Sequence, residues 1–361
     1  MDVVNGTVAV VGGGVIGLSI AWRAARSGWS VTLYDPAVGS GASWVAGGML
    51  APLSEGWPGE DAVLAAGSAS LDRWPGFGGE LERSTGETLF TSQSSMTVAL
   101  DAADAADLRT VADWLAGHGH DLDLLTRAQI RAAEPSLAPA IRLALVAPTE
   151  LAVDNRALVR ALRAAATDAG VTFRADTVTD LEALPDDQVV LAAGTASARL
   201  WPGLPVRPVK GEVLRLRHRP GVAPAPSRTV RASVHGRPVY LVPRGDGLVL
   251  GATQHESGDD TAVTVAGVRD LIADAQALMP SIGEYELHET TAGLRPMSPD
   301  NLPILGRVTD RVVLAAGHGR NGILLTPLSA DAVVAELDGT PLPEAVSCLP
   351  DRFGTLVSTH E

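Results

Sequence analysis

The stretch from Val8 to Asp35 restricts what this chain can fold into more than any other. It opens on Val8-Ala9-Val10-Val11, an unbroken apolar run that reads as a strand buried on both faces. Gly12, Gly14 and Gly17 follow in Gly-x-Gly-x-x-Gly spacing. Ile16, Ile20 and Ala24 then recur at helical intervals, with Arg23 and Arg26 facing outward and Gly28 as the stop. Val31-Thr32-Leu33-Tyr34 reads as a second strand ending at Asp35. Each glycine meets its own steric demand: Gly12 the tight turn, Gly14 the approach of backbone to a pyrophosphate, Gly17 the close packing of helix on strand. The phosphates would rest on unpaired N–H groups at the positive end of the helix. An acid about 20 residues past the glycines accepts hydrogen bonds from ribose hydroxyls and repels a 2′-phosphate. Glycine turns alone also occur in plain βαβ packing. Strand, glycines, helix, strand and acid in register point instead to an ADP-containing dinucleotide without a 2′-phosphate, NAD or FAD.

At 361 residues the chain suggests two domains or one large elaborated one, and 46% apolar residues exclude global disorder. A net charge of -14, from 28 basic and 42 acidic residues, argues against nucleic acid or an anionic membrane as partner. The single cysteine, Cys348, allows neither an intrachain disulfide nor a cysteine metal cluster. His118-Gly119-His120 lacks a third ligand at recognised spacing and reads as surface loop, so no metal is expected. No basic leader with a cleavage site precedes the first strand and no apolar run reaches bilayer length, so a cytoplasmic protein is expected.

After Asp35 comes a glycine- and serine-rich passage, residues 39–52, with Trp44, Val45, Met49 and Leu50 interleaved. Small residues in that density let backbone lie against a flat or extended ligand, and Ser43 can donate to a phosphate. Helical spacing covers residues 61–81 and 104–116, Phe90 to Leu100 reads as strand with a turn, and Thr126 to Gln129 matches a capping box closed by Pro135. These pieces resemble no nucleotide-binding unit. Asp154 then caps a helix running to Gly170, and Val189 to Ala193 is a buried strand ending at Gly194, either a turn glycine or, at the end where open α/β sheets bind ligands, a point of close approach to one. From Val206 to Tyr285 alternation indicates a half-exposed antiparallel sheet, with a helix capped by Thr264. Val312 to Ala316 leads into a last glycine-rich loop, and Thr326 and Pro327 suit the N-cap and first position of a closing helix.

The α/β segments at start, middle and end imply a discontinuous dinucleotide domain over residues 1–85, 145–207 and 290–345. An α+β antiparallel-sheet substrate domain over 86–144 and 208–289 is inserted into it, and 346–361 form a tail. A flavin is long and its ring must be enclosed by remote loops. Small-residue loops near Ala46, Gly194 and Gly319 supply them, which favours FAD over NAD.

Four further stretches carry a family resemblance: Ala46-Gly47-Gly48-Met49-Leu50, Pro208-Val209-Lys210-Gly211-Glu212, Ala292-Gly293-Leu294-Arg295-Pro296 and Gly317-His318-Gly319-Arg320-Asn321-Gly322-Ile323-Leu324. From Val8 to about Leu337 the chain resembles the glutathione-reductase-type flavin amine oxidases, the D-amino-acid oxidase and sarcosine oxidase family. The resemblance implies a Rossmann-like FAD-binding fold in which Val15, Ile16, Asp35, Ser43, Gly47, Gly48 and Met49 line the cofactor. It also implies that Val178 meets the adenine through its backbone and that His318 to Leu324 wrap the isoalloxazine. Arg295 would anchor the substrate carboxylate, with Tyr240 and Arg320 nearby. The chain lacks the cysteine by which sarcosine oxidases tether flavin, so FAD should be non-covalent and Cys348 structural or exposed.

Side-chain chemistry supports the anchor independently, since a guanidinium offers a carboxylate a fixed two-pronged fork that an ammonium does not. Arg295 against a surface ion pair, Tyr240 against a core tyrosine and Arg320 against a purely structural place in the flavin loop are the alternatives to weigh. The expected reaction is oxidation of a small amino acid, glycine first, to its imine; the resemblance implies that O2 is reduced to H2O2 and that the imine either hydrolyses to glyoxylate or feeds thiamine thiazole synthesis. A D-amino-acid, sarcosine or proline oxidase or dehydrogenase of the same fold is the near alternative. An NAD-dependent dehydrogenase and a silent dinucleotide sensor are the distant ones. Relatives of the family assemble, so a homo-oligomer is a further expectation.

Overall fold

Val8 to Val11 present no polar face, and the Thr7–Val11 strand accordingly lies inside a sheet covered on both sides. The computed structural model describes residues 5–354 and 356. That first sheet has six strands, in the order Ile304–Arg307, Val312–Ala316, Gln188–Leu191, Thr7–Val11, Ser30–Tyr34 and Thr172–Arg174. All neighbours are parallel except the edge pair Ile304–Arg307 with Val312–Ala316. Val8 and Val10 point into a core shared with the helices Val15–Arg26, Asn155–Asp168 and Thr326–Leu337. Ala9 and Val11 point the other way, against Leu191, Trp201, Leu204 and Leu314. The chain leaves Thr7–Val11 for Ser30–Tyr34 on one side and returns to Gln188–Leu191 on the other. Strand order therefore reverses between Thr7–Val11 and Gln188–Leu191, the place where such sheets leave a crevice.

The second sheet has nine strands. Eight follow the order Glu286–Met297, Arg207–Arg217, Gly247–Gly251, Arg237–Arg244, Thr229–Val234, Phe90–Ala99, Leu143–Val153 and Met49–Leu50, and Asp123–Thr126 pairs along Leu143–Val153. It departs from the expected half-exposed antiparallel sheet twice. Thr229–Val234 runs parallel to Phe90–Ala99, and Gly247–Gly251 together with Val209 to Leu214 are buried without alternation. The cause is cover on both faces. Leu271, Ala275 and Leu278 of the Val265–Leu278 helix pack on Leu214, Leu241 and Leu250, while Val213, Val242 and Val249 meet Val45 and Met49 on the other side. Strands of this sheet lie at 49–50, 143–153 and 286–297, on both sides of the breaks expected near 85, 144 and 289.

Smaller differences have local causes. Arg23 is not free in solvent: its guanidinium lies 4.3 Å over the Trp22 ring and pairs with Glu80 at 2.8 Å. Leu325, not Thr326, caps the Thr326–Leu337 helix, because the Thr326 hydroxyl donates to the Gly322 carbonyl at 2.9 Å. Cys348 is fully buried in the 3-10 turn Pro343–Cys348, which resolves the open choice for this residue toward the structural one. Among the described residues no helix is long and apolar enough to cross a membrane.

Candidate functional site

A cavity of ≈ 1100 Å³ opens at the reversal of strand order and runs from Asp35 to the second sheet. Drug-sized ligands take roughly 300–1,000 Å³, so this one has room for a dinucleotide together with a small second molecule. Its first end is built by the glycine turn. Gly12 adopts φ +111°, and a Cβ there would overlap the Ala192 carbonyl of the neighbouring strand. Gly14 caps the Val15–Arg26 helix without a side-chain partner, so the first turn keeps donors for a ligand. The Val15 N–H donates to Ser43 Oγ at 3.0 Å, which leaves the serine proton free to point into the cavity beside Ile16. Asp35 lines the cavity beside the glycine turn, its carboxylate held by N–H groups of Gly13 and Ala37, each at 2.6 Å. Val178 and Gly194 line the same arm, and at Gly194 nothing lies within 4 Å of where a Cβ would be.

Gly47, Gly48 and Met49 form the next wall, following the short helix Ala42–Val45. Two residues that sequence reasoning missed hold it. Asn155 donates from its amide nitrogen to the carbonyls of Ser43 at 2.8 Å and Trp44 at 2.9 Å. Arg244 donates to the carbonyls of Gly47 at 2.6 Å and Val153 at 3.0 Å, and burial pulls its guanidinium down to about 10. Neither carries a local signal, because each acts on backbone remote in sequence.

His318, Gly319, Arg320, Asn321, Gly322 and Ile323 close the cavity from the last strand of the first sheet. His318 is buried, meets Ser329 Oγ at 2.9 Å and is pushed by desolvation down to about 3, so it stays neutral at working pH. Two expected site residues lie elsewhere. Leu324 turns into the core, where its carbonyl accepts from Ser70 Oγ at 2.7 Å and Trp74 Nε1 at 2.8 Å. Gly17 sits behind the turn, where a Cβ would overlap the Gly12 carbonyl; its role is packing, not lining.

At the far end Tyr240 and Arg295 face the cavity from two strands of the second sheet. Tyr240 stands opposite Arg231 and Gly251 in the sheet register, and a Cβ on Gly47 would lie 2.8 Å from its ring. Desolvation pushes its phenol up, against the pull of the Arg295 charge, so it remains a neutral donor. Arg295 donates to the Thr253 carbonyl at 3.2 Å. Among the described residues no carboxylate lies within salt-bridge distance of it. Arg320 is engaged instead, with Glu55 at 3.1 Å and Glu60 at 3.2 Å. Glu55 also pairs with Arg231 at 3.1 Å, so a chain of opposite charges rims this end. Arg231, Glu55 and Gln254 line the cavity and were not singled out from sequence. Only sheet register and a remote turn bring them in.

Residues 7–337 match the family described as DAO, FAD dependent oxidoreductase. The chain belongs to this family. It is 36% identical over 336 residues to a thiamine biosynthesis oxidoreductase, ThiO, of Rhizobium etli, covering 91% of this chain and 96% of that one. A bifunctional ThiO/ThiG protein of Synechocystis is 33% identical over 373 residues; the match covers 96% of this chain but 54% of that protein, so the chain spans about half its length. The crystal structure of glycine oxidase from Geobacillus kaustophilus superposes with a TM-score of 0.88 at 30% identity, covering 95% of this chain and 98% of that one. The Rossmann-like FAD-binding fold and the FAD-dependent oxidoreductase class expected from the sequence hold for this DAO-family chain.

Proposed function

We propose that this DAO-family enzyme oxidises glycine, or an amine of similar size, to its imine and passes the electrons to O2 as H2O2. The observation that carries the reading is Arg295: a guanidinium facing the cavity beside a neutral phenol, with no carboxylate partner of its own among the described residues. Such a charge is costly to leave unmatched and suits the carboxylate of a substrate. The Gly12–Val15 turn and Ser43 fit the pyrophosphate of FAD, Asp35 a ribose, Val178 the adenine end, and the 318–323 loop the ring system. Cys348 lies outside the cavity, which supports non-covalent FAD. When bound, FAD supplies acceptance of two electrons from the amine Cα–H.

The chain's own residues supply orientation and exclusion of water. Arg295 and the Tyr240 hydroxyl grip the carboxylate and so fix which Cα hydrogen is presented. His318 is neutral and occupied with Ser329, and it takes no proton from the substrate. The proposed step takes the substrate as the free amine and so needs no protein base. Arg320 shapes the rim through Glu55 and Glu60. The relatives named ThiO support supply of the imine to thiamine synthesis. A single cysteine, buried and free, fits a reducing, cytoplasmic setting.

The test is a peroxide-coupled assay of the FAD-loaded protein with glycine, sarcosine, D-alanine and D-proline. Highest kcat/KM on glycine or sarcosine supports the reading. Strong D-proline turnover beside negligible glycine turnover, or no yellow absorbance after FAD addition, overturns it.

A further inference from the structure

Arg295 and Gly211 are diagonal neighbours in the second sheet. Arg295 pairs with Val209 and Gly293 with Gly211 on the adjacent strands, so all four side-chain positions share the cavity face. Diagonal positions lie within reach of a long side chain, and Arg295 leans along its strand onto Gly211. A Cβ at Gly211 would fall 2.5 Å from Arg295 Cζ and overlap both terminal nitrogens of the fork. The backbone of Gly211 is extended, with no left-handed conformation that would call for glycine. The space above its Cα is taken by the guanidinium itself.

Lys210 and Glu212 flank that glycine and point to the opposite face, where they are buried, 3.8 Å apart. Both fasten the segment 253–264. Lys210 Nζ donates to Asp260 at 2.6 Å and to the Ala262 carbonyl at 2.9 Å, while Glu212 Oε1 accepts from the Thr264 N–H at 2.9 Å. The Glu212 N–H donates to Thr253 Oγ1 at 2.9 Å, and Thr253 presents the carbonyl that receives Arg295. Seat and tether of the fork are thus set by three consecutive residues. Neither buried charge enters the proposed reaction.

We infer that Lys210-Gly211-Glu212 is a positioning unit for the substrate carboxylate: Gly211 seats the Arg295 guanidinium, and Lys210 and Glu212 hold the segment that tethers it. This rests on the reading of Arg295 as carboxylate anchor. Overfilling the seat tilts the fork, so affinity for a carboxylate falls while the FAD site, built by other elements, is untouched.

The test titrates FAD-loaded protein with acetate, a carboxylate without an oxidisable amine, read by calorimetry and by the flavin absorbance difference. Wild type binds and Arg295→Ala does not. Gly211→Ala weakens acetate and raises the KM for glycine by about tenfold or more, with kcat changed less than about threefold and FAD content unaltered. In an Arg295→Lys background the added Gly211→Ala changes acetate affinity by less than about twofold, because a flexible ammonium stem avoids the new methyl. Equal acetate binding by wild type and Arg295→Ala would overturn the anchor reading itself. With that reading intact, unchanged affinity in Gly211→Ala, or an equal penalty in both backgrounds, overturns the positioning unit. Should Gly211→Ala not accumulate with FAD bound, Lys210→Met decides: a severalfold loss of acetate affinity supports the unit, and wild-type affinity refutes it.

Discussion

In the proposed reaction the substrate carboxylate rests on one side chain, Arg295, whose fork is the cavity cation without an ion pair among the described residues. Two charge-assisted hydrogen bonds to a carboxylate are worth roughly 3–4 kcal/mol together, so Arg295→Ala is expected to lower kcat/KM by about two to three orders of magnitude. Arg295→Lys should recover only part of this, because an ammonium cannot supply the fork. A stopped-flow reduction assay over a range of glycine concentrations checks both. Tyr240 contributes one neutral hydrogen bond, and Tyr240→Phe should raise KM by roughly three- to tenfold with little change in kcat. Because desolvation raises the Tyr240 phenol, the ratio of wild-type to Tyr240→Phe KM should stay flat between pH 6 and 9. A ratio that collapses within that range would show a phenolate. Both residues were singled out by the family resemblance, with the guanidinium fork of Arg295 and the place of Tyr240 on an alternating strand as independent chemical support. Arg231 and Glu55 were not, because nothing near them in sequence distinguishes them from surface charges.

Among the elements, the strand–turn–helix unit at the start is the most self-contained. Its contacts are local, which is why three glycine positions and Asp35 could be given separate tasks before any fold was known. Gly17 keeps the task it was given there: it serves the dinucleotide site by letting the helix touch the strand rather than by lining the cavity. Gly17→Ala is accordingly expected to push the Val15–Arg26 helix off the Gly12 carbonyl. That should cost about 1–3 kcal/mol of stability and lower FAD affinity, seen together in denaturant titration and in flavin release on dilution. Loss of FAD affinity with unchanged stability would instead place Gly17 at the ligand. The second sheet was less legible. Alternation marked Val239 to Val242 and Val213 to Arg217 as strands, but not the parallel pairing of Thr229–Val234 with Phe90–Ala99. Nor did it show that cover on both faces would bury Val209 to Leu214 without a break. Pairing partners so far apart in sequence leave no local trace.

At the scale of the whole molecule the cavity is closed by segments from all three parts of the chain, and its closure includes a buried neutral imidazole. His318 would take a proton near pH 6.5 in the unfolded chain but only at about 3 when folded. Between those values the unfolded state binds more protons, so this contribution to stability is fully present above pH 6.5 and is lost progressively as pH falls toward 3. Its slope is at most about 1.4 kcal/mol per pH unit. Thermal melts of wild type and His318→Asn between pH 7 and 4.5 should show the variant falling less steeply; parallel curves would mean that His318 is protonated in the folded protein.

The sequence by itself determined the first unit and the cofactor class and, through the family resemblance, singled out Arg295 as the candidate anchor. Each of these depends on residues close together in the chain or on side chains whose chemistry has few other uses. The tertiary structure alone decided that Gly47 packs on Tyr240, that Arg244 and Asn155 hold the 43–48 backbone, and that Gly211 lies beneath the Arg295 fork. Those relations are set by strand register and by loops meeting across more than a hundred residues. A one-residue slip in register would turn every one of the sheet-borne partners to the other face.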